Sequence, residues 1–115
     1  MRLIDNFFHI VELGDNSCKM VMNADHEIYK VHFPDNPITP GVCLVQMATE
    51  IYEEISHEQL TLYEILRIKY RSVVKPSDNP TFYFTPMGNE NGCKKVKVGI
   101  KDGEKVFAEM SLCFN

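Results

Sequence analysis

One helical segment that is apolar around most of its circumference constrains the fold of this chain more than any other feature. Over residues 42–55, apolar side chains cover most helical faces in the first two turns, and polar residues gather only towards the end. A helix with this pattern is buried by other elements instead of lying on a surface with one face in water. The rest of the chain must therefore supply the elements that surround it.

The segments available to surround the helix alternate between apolar and polar residues, as half-buried strands do. Four such segments lie at residues 66–71, 81–85, 95–101 and 106–112, and two more are predicted at residues 7–13 and 18–24. A short hairpin turn is predicted at residues 101–103, between the last two strands. One buried helix and about six strands predict an α+β fold in which a curved antiparallel sheet wraps around the helix.

Length, charge and cysteine content exclude several classes of protein. The 115 residues predict a single domain over residues 1–115, and the net charge of −4 argues against a nucleic-acid-binding protein. No run of about 18 apolar residues is present, so we expect no membrane span. Early acidic residues argue against a signal peptide, which favours a cytoplasmic protein. The four cysteines show no metal-binding spacing, so free thiols are expected.

The segment that carries recognisable chemistry runs from residue 32 to residue 46. It places the imidazole of His32 on a loop stiffened by three prolines, directly before the predicted buried helix. Thr39 is a candidate hydroxyl cap for that helix, and Pro40 suits its first turn. The helix dipole is expected to lower the pKa of Cys43. A base, free N–H groups at the helix start and an apolar surround are what removal of a proton next to a thioester carbonyl requires.

The same segment resembles the HFPGxPxxPGV motif of the 3-hydroxyacyl-(acyl carrier protein) dehydratases. The residue types that match at the family spacing are His32, Phe33, Pro34, Pro37, Pro40, Gly41 and Val42. Residues 69–78 resemble the family's KFRxxVxPGD stretch, and residues 102–109 resemble its closing DGxxVAEA hairpin. The similarity covers most of the chain, and it implies a hot-dog fold and a dehydratase-type hydro-lyase.

The resemblance also implies roles for particular residues. His32 would take the proton from the carbon next to the thioester, and the N–H groups of Gly41 and Val42 would hold the carbonyl. Phe33 and Pro40 would belong to the substrate-binding surface. Family members are hot-dog homodimers, in which the loop histidine of one subunit meets a helix carboxylate of the other. The substrate would be a thioester of acyl carrier protein or coenzyme A, and neither metal nor organic cofactor is implied, because the elimination needs only acid and base groups.

The main departure from the family lies at Gln46, which stands where the family carries a catalytic Glu or Asp. An amide can donate and accept hydrogen bonds, but it has no proton to give as an acid. Glu50 follows one helical turn later, where many relatives carry Gln, so the two residue types are exchanged. Glu50 is therefore a second candidate for the acid. The alternative is that it belongs with Glu53 and Glu54 to a solvated end of the helix.

Two questions stay open at this point. Arg71 and Lys75, and a second basic stretch at residues 94–101, are candidates for docking an acidic acyl carrier protein, with the first pair favoured, although such charges often only solvate a strand. The alternatives to a dehydratase are a thioesterase, in which a carboxylate such as Glu50 activates water, and a non-catalytic acyl-binding or partner subunit. The fold supports all three activities and cannot choose among them.

Overall fold

The computed structural model describes residues 2–31 and 34–115. Its elements in chain order are β1 (Phe8–Leu13), β2 (Ser17–Met22), α1 (Ile28–Val31), α2 (Gly41–Ser56), β3 (Leu62–Tyr70), β4 (Thr81–Glu90), β5 (Cys93–Asp102) and β6 (Lys105–Phe114). Every predicted strand and the predicted long helix are present, and the last four strands are longer than predicted. The short helix α1, which was not predicted, directly precedes the proline-containing segment.

The six strands form one antiparallel sheet in the order β1-β2-β4-β5-β6-β3. Helix α2 packs its side chains against this sheet: the ring of Tyr52 lies 5.2 Å from that of Phe84 and 6.1 Å from that of Phe114. Met47 and Ile51 of α2 are fully buried in the same hydrophobic core. The arrangement confirms the predicted α+β fold, with one long buried helix and an antiparallel sheet.

Burial along the central strands follows the predicted alternation. In β4, Phe82 and Phe84 are buried, whereas Tyr83 between them is 46% exposed. The buried side chains of β5 are those of Val96, Val98 and Ile100. The hairpin between β5 and β6 turns through Gly103 at φ 61°, a conformation that glycine adopts without strain because it has no Cβ.

Strand β3 lies at the edge of the sheet and, in the part of the chain that the structure describes, pairs only with β6. Leu66, Ile68 and Tyr70 are the apolar residues of the alternating pattern predicted for this strand, but Leu66 and Tyr70 are 43% and 52% exposed and Ile68 is only half-buried. Tyr63 and Ile65 on this strand are exposed as well. Over the residues that the structure describes, β3 therefore presents an open edge and several uncovered apolar side chains.

The cysteines are a second point of difference. Cys93 and Cys113, on the neighbouring strands β5 and β6, have their Cα atoms 5.6 Å apart and are joined in a disulfide. The expectation of free thiols is therefore wrong for this pair and holds for Cys18 and Cys43. The pairing joins residues 20 apart in the chain and depends on strand register, which cysteine spacing does not reveal. Within the described ranges, no helix is both long enough and apolar enough to cross a membrane.

Candidate active site

The N-terminus of α2 lies at the centre of the candidate site. Pro40 occupies the N-cap position in an extended conformation, and its carbonyl accepts the first helical hydrogen bonds from the N–H groups of Cys43 and Leu44. The N–H groups of Gly41 and Val42 precede these bonds, and no side chain among the described residues caps the helix. Two backbone donors are therefore placed where the carbonyl of a thioester was predicted to bind.

Thr39 does not cap the helix, contrary to the prediction. Its hydroxyl is buried and shares a 2.8 Å hydrogen bond with the hydroxyl of Tyr29. Its N–H group donates to the carbonyl of Val74 at 2.7 Å. Pro40 occupies the N-cap position in place of Thr39, so the Thr39 hydroxyl instead ties the segment before α2 to α1, and its backbone N–H ties that segment to the chain that follows β3.

Tyr70, at the end of β3, packs directly on Gly41. A Cβ atom added at Gly41 would lie 2.5 Å from the Tyr70 hydroxyl oxygen and 2.6 Å from the ring carbon that bears it. Such an approach is closer than real Cβ atoms make, so position 41 requires glycine while this ring stays in place. Tyr70 was not predicted as a site residue, although a signal existed, since it stands where the family motif KFRxxVxPGD has Phe.

Two cavities adjoin the start of α2. The first, the Arg71 cavity, has a volume of about 440 Å³ and is lined by residues 38–41, Leu44 and residues 70–74. The second, the Gln46 cavity, has a volume of about 420 Å³ and is lined by Leu3, Val42, Cys43, Val45, Gln46, Leu62, Ile65, Ile68 and Tyr70. Both volumes fall within the range of small-molecule sites, ~300–1,000 Å³. Of the described residues that line them, Tyr70 alone borders both.

Gln46 is half-buried, and its side chain belongs to the wall of the cavity that bears its name. Its amide nitrogen Nε2 donates a 2.8 Å hydrogen bond to Oε2 of Glu50. Since the nitrogen end of the amide faces Glu50, the carbonyl oxygen Oε1 is turned away from it. Gln46 and Val42, two of the predicted site residues, border the same cavity one helical turn apart.

Glu50 is buried, with 1% of its surface exposed. Its carboxylate accepts hydrogen bonds from the backbone N–H of Leu3 at 2.8 and 2.9 Å and from that of Ile4 at 2.8 Å, in addition to the bond from Gln46. The interpretation of Glu50 as part of a solvated helix end is therefore wrong, because the segment before β1 lies over this side chain. Glu54, by contrast, is exposed as expected.

The remaining predicted site residues are placed as follows. His32 and Phe33 lie outside the described residues, so their roles stay predictions. Arg71 and Lys75 are both exposed on the segment after β3. Burial raises the pKa of Cys43, so the expected lowering by the helix dipole does not prevail. In the described part of the chain, no cluster of three or more side chains is suited to hold a metal ion.

The fold places this protein in the hot-dog class. The structure of the dehydratase heterocomplex ApeI:P from Xenorhabdus doucetiae superposes with a TM-score of 0.68 over 92% of this chain and 93% of that chain, at 10% identity. Thioesterase superfamily member 2 from Mus musculus superposes with a TM-score of 0.67 over 93% of this chain and 80% of that chain, at 11% identity. Identities this low establish the fold alone.

Sequence comparison identifies the family. Residues 11–110 match the model of the ApeI-like family, described as ApeI dehydratase, and the chain belongs to this family. The 3-hydroxyacyl-(acyl-carrier-protein) dehydratase FabZ of Levilactobacillus brevis is 28% identical over 105 residues, covering 85% of this chain and 71% of that protein. The FabZ of Sulfurovum sp. is 23% identical over 123 residues, covering 96% of this chain and 83% of that protein. These findings confirm the predicted dehydratase class of hydro-lyase.

Proposed function

We propose that this protein eliminates water from 3-hydroxyacyl thioesters of an acyl carrier protein or of coenzyme A, giving the enoyl thioester. The observation that carries the proposal is the position of Gln46, one turn into α2, in the wall of an apolar cavity that begins at the uncapped start of the helix. This is where the family motif places its acid. Relatives named 3-hydroxyacyl-(acyl-carrier-protein) dehydratase support the same substrate class.

The reaction requires a base, a site for the thioester carbonyl and assistance to the leaving hydroxyl. In this proposal His32 takes the proton from Cα, while the N–H groups of Gly41 and Val42 stabilise the negative charge on the carbonyl oxygen. The electron pair at Cα forms the double bond as the Cβ–O bond breaks. Gln46 hydrogen-bonds the departing hydroxyl, and the proton that converts this hydroxyl to water returns from the imidazolium of His32.

Glu50 enters the proposal through Gln46. Because the Glu50 carboxylate already accepts N–H groups from Leu3, Ile4 and Gln46, it would have to release some of these bonds before acting as the acid. We therefore assign Glu50 the role of holding the Gln46 amide in one orientation. The competing assignment, in which Glu50 itself supplies the proton, predicts that Glu50→Gln abolishes turnover in a protein that still folds.

A homodimer is part of the proposal. The open edge of β3 and its exposed apolar side chains favour pairing with a second copy of the chain. Val42 is 76% exposed beside the Gln46 cavity, which β3 also lines, so a copy docked along β3 would help to enclose that cavity. A chain of 115 residues also has a small core for its surface, and a dimer interface adds to it.

The proposed docking surface for an acidic carrier protein consists of Arg71 and Lys75. Arg71 borders a cavity at the start of α2, and among the described residues its guanidinium forms only a long contact of 3.4 Å with Glu109. In the second basic stretch, Lys94 and Lys95 are engaged in close ion pairs with Glu58 and Glu90. The first pair is therefore the better candidate for recognising a partner's negative charge.

The substrate-binding surface includes Phe33 and Pro40, and Pro40 lines the Arg71 cavity. We keep a cytoplasmic location and a single hot-dog domain over residues 1–115 as parts of the same proposal. No metal or organic cofactor enters the reaction as written, because both protons and the water are accounted for by His32 and the substrate.

Two other functions have specific support. Structural neighbours include proteins named thioesterases, and in that reaction water attacks the carbonyl and releases a free thiol. The dehydratase heterocomplex ApeI:P suggests instead that this chain works together with a different subunit. A dehydratase subunit that needs such a partner would be inactive when assayed alone.

Product analysis separates these functions. A 3-hydroxybutanoyl thioester, on a carrier protein and on coenzyme A, is incubated with wild type and with Gln46→Glu, and the products are identified by mass spectrometry. Loss of one water from the intact thioester supports dehydration, whereas release of free thiol shows a thioesterase. If the wild type is inactive and Gln46→Glu turns over the substrate, the wild-type protein lacks the acid that the reaction needs. This outcome would reject the proposed reaction.

A further inference from the structure

The chain on either side of the proposed base, His32, is held by buried contacts. On the N-terminal side, Tyr29 of α1 is buried, and its ring stacks on the buried ring of Phe7 with the centroids 5.4 Å apart. On the C-terminal side, Thr39 is buried, and its N–H group donates to the carbonyl of Val74 at 2.7 Å. Both flanks of the base are therefore attached to other parts of the fold.

One hydrogen bond joins these two flanks to each other. The hydroxyl groups of Tyr29 and Thr39 lie 2.8 Å apart, and both side chains are buried. The residues between them, 30–38, form the His32 segment, in which His32 itself lies outside the described residues. The two ends of this segment separate only if a hydrogen bond between buried hydroxyl groups is broken, which is unfavourable because water does not replace it there.

The same hydrogen bond adjoins the proposed carbonyl site. Thr39 directly precedes Pro40, the N-cap of α2, and the N–H groups of Gly41 and Val42 follow. The proposed reaction needs the base and these N–H groups in one fixed arrangement around the substrate, and a misplacement of ~1 Å in such an arrangement costs ~100-fold in rate. A bond that ties the end of the His32 segment next to the helix start suits this requirement.

We propose that Tyr29 and Thr39 are positioning residues, whose hydrogen bond holds the His32 segment against the start of α2. The inference deepens the proposed function and rests on it. Neither hydroxyl is assigned a contact with the reacting atoms, because the two are buried and bonded to each other. Loss of the bond should therefore lower kcat, which depends on the arrangement of the reacting groups, and leave KM nearly unchanged.

The test removes the hydrogen bond from either side. Thr39→Val replaces the hydroxyl with a methyl group, Thr39→Ser keeps a hydroxyl, and Tyr29→Phe removes only the phenolic oxygen. The double variant Tyr29→Phe/Thr39→Val leaves neither hydroxyl unpaired, so it is used if a single variant does not fold. Thr49→Val is the matched control, since Thr49 is a buried threonine whose hydroxyl donates to the carbonyl of Val45 and which borders neither cavity at the start of α2.

Each full-length protein is assayed for hydration of a crotonyl thioester on a carrier protein. Thr39→Val and Tyr29→Phe should lower kcat by about tenfold or more and change KM by less than about threefold. Thr39→Ser should keep most of the wild-type kcat, and Thr49→Val should match wild type. The double variant should lose about as much as either single variant, because all three break the same bond.

Two results of this assay would overturn the inference and leave the proposed reaction standing. The first is a wild-type kcat in both Thr39→Val and Tyr29→Phe, which would show that the bond does not act on the reacting groups. The second is an equal fall of kcat in Thr49→Val, which would show that loss of any buried threonine hydroxyl has the same effect.

A second measurement does not depend on turnover. Amide hydrogen exchange of residues 30–38, followed by mass spectrometry, reports how tightly the His32 segment is held. Loss of a hydrogen bond of ordinary net strength should make this exchange about fivefold faster in Thr39→Val and Tyr29→Phe, and Thr49→Val should leave it unchanged. If wild type is inactive, the proposed reaction fails and exchange decides the inference. Faster exchange in the first two variants alone supports it, and equal exchange in all the proteins would overturn it.

Discussion

The amide of Gln46 and the carboxylate of Glu50 form a 2.8 Å hydrogen bond on adjacent turns of α2, in the reverse of the Glu-then-Gln order that the resemblance to the dehydratase family implies. The bond is one part of a buried network, because the same carboxylate accepts the backbone N–H groups of Leu3 and Ile4. The exchange of Glu and Gln therefore preserves a donor–acceptor pair and changes which partner faces the Gln46 cavity.

This network predicts that Glu50→Gln destabilises the protein. The new amide nitrogen would face either Nε2 of Gln46 or the backbone donors, leaving a buried donor without an acceptor at a cost of about 1–3 kcal/mol in unfolding free energy. Denaturant unfolding measures the loss. The control is Glu54→Gln, whose parent carboxylate is exposed, and it should change the unfolding free energy little. Equal effects of the two substitutions would show that Glu50 has no structural role.

Exchanging the two residue types, to give Glu at position 46 and Gln at position 50, should recover part of the unfolding free energy that Glu50→Gln loses. Gln46→Glu alone places two carboxylates within a hydrogen-bond distance of each other, which is unfavourable at neutral pH. In the double variant Gln46→Glu/Glu50→Gln, the amide at position 50 can donate to the carboxylate at position 46. We expect a favourable coupling of about 0.5–3 kcal/mol in a double-mutant cycle. Strictly additive losses would contradict the reversed hydrogen bond.

A second pair, Gly41 and Tyr70, makes a steric prediction. Gly41→Ala brings a methyl group 2.5 Å from the Tyr70 hydroxyl oxygen, so the half-exposed ring must turn away from α2, and the unfolding free energy should fall by about 1 kcal/mol. In a Tyr70→Ala background the same substitution meets no ring and should cost little. Thermal unfolding of the four proteins of the cycle measures the coupling. A cost that is the same in both backgrounds would show that the ring does not rest on Gly41 in solution.

The open edge of β3 predicts the oligomeric state. Wild type should sediment as a dimer, and Leu66→Lys, which places a charge among the exposed apolar side chains of β3, should shift it towards monomer. Met87→Lys is the control, because Met87 is a 58% exposed apolar residue on a different strand, β4. Sedimentation velocity distinguishes the species. A monomeric wild type, or a Leu66→Lys variant that remains dimeric, would contradict pairing through this edge.

The buried hydroxyl of Tyr29 leads us to expect that the unfolding free energy falls at alkaline pH. Burial raises the pKa of its hydroxyl from 10.0 to about 12, against the lowering effect of its hydrogen bond with Thr39. The folded state therefore holds this proton more tightly than the unfolded state, so the contribution to stability is complete below pH 10 and is lost between pH 10 and 12. Unfolding free energy should fall there by up to about 1.4 kcal/mol per pH unit.

Tyr29→Phe provides the check on this assignment. The variant should lose about 1 kcal/mol at neutral pH with its hydrogen bond to Thr39. Its stability should then fall less steeply than that of wild type from pH 10 to 12, as measured by denaturant unfolding. Burial also raises the pKa of Cys18, from 9.0 to about 11, so part of the alkaline loss remains in the variant. Parallel curves for the two proteins would contradict the role of Tyr29.

The fold could be predicted because its signals are local and periodic. The apolar surface of α2 and the alternation around Phe82 and Phe84 are properties of short segments, and the structure confirms both. The exposure of Leu66 could not be predicted, because it depends on β3 lying at the edge of the sheet. The same period-two pattern is compatible with a central strand and with an edge strand.

The candidate site could be predicted only in part, for a similar reason. The motif identifies Gln46 and Glu50 and their spacing, but the burial of Glu50 depends on the backbone of Leu3, 47 residues away in the chain. No pattern near either residue indicates that contact. The contact between Gly41 and Tyr70 also joins distant parts of the chain, and only the substitution of Tyr for the family's Phe pointed to it.

The central claim is that this protein is a dehydratase whose base is His32, and one assay tests it most directly. Hydration of a crotonyl thioester on a carrier protein is followed by loss of enoyl absorbance, for wild type, His32→Ala and His9→Ala. His9 is the control because it is a half-exposed histidine on β1, paired with Asp5. We predict turnover by wild type and His9→Ala, and a fall of about 100-fold or more in kcat/KM for His32→Ala. Equal rates for wild type and His32→Ala would contradict the claim.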